Sequence, residues 1–186
     1  MCDCLSGAGR AGVLYCEDYM LDTVLIAVGG FNLAFMAAWL TIGALENVFH
    51  PFLNETYTAQ VMDLERMREE YPEAYTHVSY RRVTNAKLRK RLFAFIVVWE
   101  LLATASLWLG TAAMGAAVLG LVPVSTALAL GLVGTMLFNS VWAGFLIAGN
   151  FFCYWFGHEG GQNTHFQMLL WGLANCVLLI GLASYF

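Results

Sequence analysis

The sequence predicts an all-α protein, a four-helix transmembrane bundle with one amphipathic surface helix in its first loop. Three observations carry that class. The 186 residues are 60% hydrophobic and 12% charged, with a mean hydropathy of +0.65; a soluble domain is about half apolar and one quarter charged. The apolar residues fall in four blocks of membrane-spanning length rather than in amphipathic stripes. The lysines and arginines are concentrated in one loop. A net charge of −4, with its cations gathered locally, gives the chain no nucleic-acid character.

Residues 1–20 read as a disordered extension or a mis-annotated start. They lack the apolar core of a signal peptide, and Met20-Leu21-Asp22 looks like an alternative beginning. Residues 21–186 form a single membrane domain. Its first span is expected at 23–45. There Gly30, Ala34, Ala37, Thr41 and Ala44 recur at spacings of three and four, making a face that a neighbouring helix can approach closely. Pro51 marks its end.

Residues 46–90 are the long polar loop. A helix over about 55–70, capped by Asn54 or Thr58, would place Val61, Leu64, Met67 and Tyr71 on one side and its charges on the other. It would lie over the bundle or at the lipid interface, and Tyr71-Pro72 would close it. Arg81, Arg82, Lys87, Arg89, Lys90 and Arg91 follow with no acid between them. Such a cluster keeps its loop cytoplasmic, which puts both termini outside, and it can hold anionic lipid headgroups.

Thr84 or Asn85 can cap the second span, about 86–112, and small residues let that helix run on toward Val122-Pro123. The third span is expected at 125–150, with Gly131, Thr135, Gly144 and Ala148 as a second small-residue face. Phe151 to Phe156 reads as an aromatic interface belt. Gly160-Gly161 is expected to break the helix there, leaving Asn163 or Thr164 to cap the fourth span, 165–185.

Two constellations are candidate sites. Asn32, Glu100, Asn139 and Asn175 each lie well inside a different span, and counting along each helix puts all four near one depth. A membrane carboxylate is costly unless it is protonated, paired or wetted. The bland reading is interhelical hydrogen bonding; the functional one is a proton- or substrate-binding carboxylate in an asparagine cage. The other set is an interfacial polar loop: Asn150, His158, Glu159, Gln162, Asn163, His165 and Gln167. His158, Glu159 and His165 could hold a metal, but their spacing is not a metal signature, and a turn whose side chains cap helix ends explains them.

No haem or other cofactor is called for, because His50, His77, His158 and His165 all sit at span ends or in loops. The five cysteines lack a Cys-x-x-Cys pair and give neither a disulfide framework nor a zinc pattern. No lipidation motif surrounds Cys2 or Cys4. No phosphate loop, dinucleotide fingerprint or nucleophile triad is present.

Trp99-Glu100-Leu101-Leu102 in the second span and the junction from Asn150 to Gln167 carry a resemblance. With four spans over about residues 21–185, they resemble a bacterial family of uncharacterised "predicted small integral membrane proteins". The resemblance implies an inner-membrane four-helix protein and brings no established activity. Family members often carry their basic residues between spans two and three, which implies the opposite orientation. That loop has none here, and this chain's own charges decide.

The leading expectation is a non-enzymatic accessory or assembly subunit of a membrane complex, sitting in the bilayer against a membrane-protein partner or a second copy. The alternatives are a small proton-coupled transporter using Glu100, by analogy with the small multidrug resistance transporters, and a metal or redox site at His158, Glu159 and His165.

Overall fold

A computed structural model describes residues 10–186, with side chains from Tyr19 onward; the expectations for Cys2 and Cys4 lie outside it. The described residues form eight α-helices and no strand. Four cross a membrane by length and composition: Tyr19–Phe49 of α1 (Arg10–Phe49), α5 (Ala86–Val118), α6 (Val124–Phe151) and α8 (Glu159–Tyr185). The chain is a multi-pass membrane protein with an all-α, four-span bundle.

Every span is longer than expected: α1 and α8 take in polar end residues, whereas α5 and α6 are extended by apolar ones. Asn85 caps α5 as expected, its side chain accepting from the backbone N–H groups of Lys87 and Leu88 at 3.0 and 3.2 Å. The far end of α5 overruns 112 and stops in a Schellman turn. Gly120 adopts φ +70°, and the N–H groups of Gly120 and Leu121 close back onto Ala117 and Ala116.

The polar loop is more broken than its periodicity predicts. Pro51 opens α2 (Pro51–Met62) at the first helical position, where its missing N–H costs nothing. Asn54 and Thr58 therefore lie inside α2 and cap nothing. The single helix expected over 55–70 is interrupted at Leu64, whose φ of 53° is left-handed. That turn drives Leu64 into a small core with Met67 and Cys153, and α3 (Glu65–Glu70) resumes beyond it. α4 (Pro72–Val78) and a 3₁₀ turn at Ser79–Arg81 lead back to the membrane.

The junction before the last span also departs from expectation. α7 (Tyr154–Gly157) is one short turn, and α8 starts at Glu159, so Gly160-Gly161 sits in its first turn and breaks nothing. Asn163 and Thr164 are inside the helix. Gly161 answers to space instead: an added Cβ would meet the hydroxyls of Tyr154 and Tyr57 at 2.6 and 2.7 Å. The aromatic belt is only partly lipid-facing. Phe151 and Trp155 are exposed, whereas Tyr154 is buried in the bundle.

Small residues set the helix spacing. Gly131, Thr135 and Gly144 of the expected face on α6 take part, Ala148 is exposed, and Gly110 and Gly134 add contacts outside the stripes. Gly110 and Gly131 let α5 and α6 touch, a Cβ on Gly110 falling 2.9 Å from the Gly131 Cα. A Cβ on Gly134 would meet the Ser106 carbonyl at 2.9 Å, and Gly144 lies beneath the Trp99 ring. On α1, Ala37 and Ala44 are fully buried, and Thr41 accepts a hydrogen bond from the Trp108 indole at 2.9 Å. The Asn139 side-chain oxygen fills the space over Gly172 of α8. Leu33, Met36, Leu107, Met114, Phe138 and Leu179 form the fully buried centre.

Candidate functional site

Glu100 is 6% exposed, and its partner is Asn47, near the end of α1 and 8% exposed. The Asn47 amide donates to Glu100 Oε2 at 2.7 Å, and the Asn54 amide of α2 donates to Asn47 Oδ1 at 2.6 Å. Glu100 Oε1 has no hydrogen-bond partner among the described residues. Among the described residues no lysine or arginine pairs with the carboxylate.

The free side of Glu100 faces a cavity of about 340 Å³. α1, α5, α6 and α8 wall it, and α2 lies across its loop-side end with Asn54, Tyr57, Thr58, Val61 and Met62. The walls carry the aromatic side chains of Trp39, Phe93, Trp142, Phe145, Phe152 and Tyr154. Glu100 is the only acid on the lining, and no Lys or Arg lies there. Trp142 Nε1 and His165 Nδ1, on two more wall residues, are buried without a partner and expose no surface to the cavity. Buried polar atoms are ordinarily satisfied, and the unpaired polar atom left to the cavity is Glu100 Oε1.

At the loop-side end, His165 stacks on Phe145 with ring centroids 4.6 Å apart and on Tyr154 at 5.7 Å. His158 stacks on the same Tyr154 at 5.7 Å and takes the edge of Tyr57 at 4.9 Å. Burial, then the neighbouring Tyr57, raises the Tyr154 phenol well above its ordinary value, so it stays a neutral donor. Burial first, and then Arg66, lower the His158 imidazole against the opposing pull of Glu159.

Ion pairs and carbonyl contacts hold the polar segment over this end. Asp63 accepts from Arg82 at 2.9 and 3.1 Å, with Arg68 and Arg89 at 3.6 and 3.8 Å. The Arg66 guanidinium donates to the Gly157 carbonyl at 2.8 Å, and that of Arg81 to the Phe151 carbonyl at 3.1 Å. Lys90 lies 3.7 Å from Glu55. Of the basic cluster, only Lys87 and Arg91 make no ion pair or side-chain hydrogen bond among the described residues. The cluster is therefore in large part an internal fastener.

The four intramembrane polar residues do not converge. Asn175 donates to Thr135 at 2.8 Å, and Asn139 to the Cys176 sulfur at 3.6 Å, both between α6 and α8. Asn32 bonds its own Val28 carbonyl. It lies 47 − 32 residues along α1 from the partner of Glu100, ~22 Å at 1.5 Å per residue. Asn32 therefore lies far from the level of Glu100, whereas Asn139 lies near it, since Trp99 beside Glu100 donates to Ser140 beside Asn139 at 3.0 Å; a shared level does not make side chains face one another.

Of the interfacial set, Asn150, Glu159, Asn163 and Gln167 are exposed, Gln162 is half-buried, and only His158 and His165 turn inward. No three His, Cys, Asp or Glu side chains among the described residues are grouped to hold a metal. Asn47, Asn54, Tyr57 and Tyr154 were missed. Asn47 had a signal: it continues the stripe Gly30, Ala37, Ala44 by three more residues.

No curated protein and no solved structure matches the chain. A family model described as "Predicted small integral membrane protein (DUF2165)" matches residues 26–181, which take in the cavity and most of every span, and the chain belongs to that family.

Proposed function

We propose that this is a non-enzymatic membrane protein that binds a small molecule in the Glu100 cavity. The observation that carries the reading is the cavity itself, about 340 Å³, with one acid whose Oε1 has no partner, set among aromatic side chains. Apolar walls with a few convergent polar groups are what small-molecule sites are made of, and the volume is at the small end of their range. Glu100 becomes a site because it faces this cavity, with Asn47 and Asn54 in place of the asparagines inside the other spans. In this role the chain is an accessory binding component of a membrane system rather than a catalyst. A partner subunit or a second copy belongs to the same proposal.

The positive-inside rule supports a cytoplasmic polar loop and hence a cytoplasmic mouth, with both termini outside. A bacterial inner membrane is part of this reading. Cysteine accessibility at position 87 from each side of the membrane tests the orientation.

Gly43 supplies the test of binding. It lines the cavity, and a Cβ there would meet nothing within 4 Å. Gly43→Leu should fill the space without disturbing the helices. Purified protein in nanodiscs should show a raised Tm with at least one of three amphiphile classes, cationic, neutral or anionic, and Gly43→Leu should abolish the shift. No shift with any class would refute the reading.

A further inference from the structure

The charge and walls of the cavity say more about its occupant. The lining carries one acid, the Glu100 carboxyl, and no Lys or Arg stands against it; its one imidazole, His165, is stacked against Phe145 and Tyr154. A buried carboxylate without a cation must be neutralised by a proton or by a cation that arrives from outside. Asn47 occupies one oxygen only, and Oε1 is left to the cavity. Sharing the lining with it are Trp39, Trp142, Phe93 and Phe145, whose ring faces attract cations most strongly where water is excluded. Trp39 and Trp142 meet edge to face at 5.5 Å, so two indoles present differently oriented π surfaces to one space. Aromatic rings about a single acid form the arrangement that takes a substituted ammonium group.

We infer that the cavity selects an organic cation, a protonated amine or quaternary ammonium carrying an apolar substituent, with the cationic head against Glu100 and the substituent among the rings. This rests on the cavity being a ligand site, as proposed above. An anionic ligand is disfavoured because no Lys or Arg lines the wall. A neutral ligand of the same shape would forgo both the carboxylate and the ring faces.

The probes are benzyltrimethylammonium, its neutral carbon isostere neopentylbenzene, and benzenesulfonate as the anion. Each is titrated into the full-length protein in nanodiscs, read by the fluorescence of Trp39 and Trp142 and by equilibrium dialysis. The cation should bind at least tenfold more tightly than the isostere in the unaltered protein. Glu100→Gln should reduce that preference to less than twofold while leaving the isostere's affinity in place, and Gly43→Leu should remove both. The first comparison needs no variant, so it stands even where Glu100→Gln fails to fold. Equal binding of cation and isostere, or preferred binding of the sulfonate, would overturn the inference and leave the cavity a ligand site. Absence of binding by any probe or amphiphile class would remove the functional reading beneath it.

Discussion

His158 ends α7 with its ring between Tyr57 and Tyr154, where burial disfavours the imidazolium. Arg66 adds to that effect and Glu159 opposes it. The docked state therefore keeps the ring neutral, while an undocked one takes up a proton near the ordinary value of about 6.5. A lowered value in the docked state means full docking above about pH 6.5 and progressive loss as the pH falls below it. Oxidative footprinting of Tyr57 and Met62 should show protection at neutral pH that declines on acidification. His158→Phe keeps a ring for stacking and removes the titration, so its protection should be flat across that range; an unchanged decline would assign the effect to another group. Little of this site could be read in advance. Glu100 and His165 stood out as polar residues in apolar surroundings, whereas Tyr57 and Tyr154 looked like ordinary interface aromatics. Their roles come from two segments about a hundred residues apart meeting above Gly161, and no local pattern encodes that meeting.

Among the elements, the spans were legible because each contains a window of high mean hydropathy with few charges, a signal that does not depend on packing. The stripes of small residues were legible for a related reason: glycine and alanine at three- and four-residue spacing fit only a close helix contact. Asn47 shows how that reasoning extends, since the α1 stripe carried three residues further arrives at the partner of Glu100. The polar loop resisted because Leu64 takes a left-handed turn only when a core waits for its side chain, an instance of tertiary packing overriding propensity. The α5–α6 contact gives an element-scale prediction. Gly134→Ala would press a methyl against the α5 backbone at Ser106 and Leu107, which cannot move as a side chain would. It should destabilise the bundle by about 1–3 kcal/mol. Gly115→Ala, on the same helix pair with nothing within 4 Å of its Cβ, should be neutral or stabilise by about 0.5–1 kcal/mol through helix propensity. Thermal unfolding in one detergent compares the two, and equal losses would mean the glycine contact does not set the spacing.

As a whole the bundle is uneven along its axis. Beyond Glu100, away from the polar loop, α5 and α6 close on Gly110, Gly131 and Gly134, and fully buried Leu33, Met114 and Leu179 fill the centre. The half nearer the loop is hollow. A cavity sealed at one end should admit its ligand from the loop side alone. In proteoliposomes of defined orientation, benzyltrimethylammonium should alter tryptophan fluorescence when supplied to that face and have no effect from the other. Equal responses from both faces would reveal a passage through the packed half, as a carrier using Glu100 requires.

The Asp63 fastening has a consequence in time rather than affinity. α2 is held across the loop-side end by a segment whose Asp63 side chain is partly solvent-exposed, at 19%, and pairs with three guanidinium groups. A cover that is closed over both the empty and the filled cavity slows arrival and departure alike, leaving the equilibrium where Glu100 and the rings set it. Exposed ion pairs weaken with ionic strength, while a buried carboxylate is screened far less. Salt should therefore hasten exchange in both directions with little change in occupancy, making residence time the property that the polar loop controls.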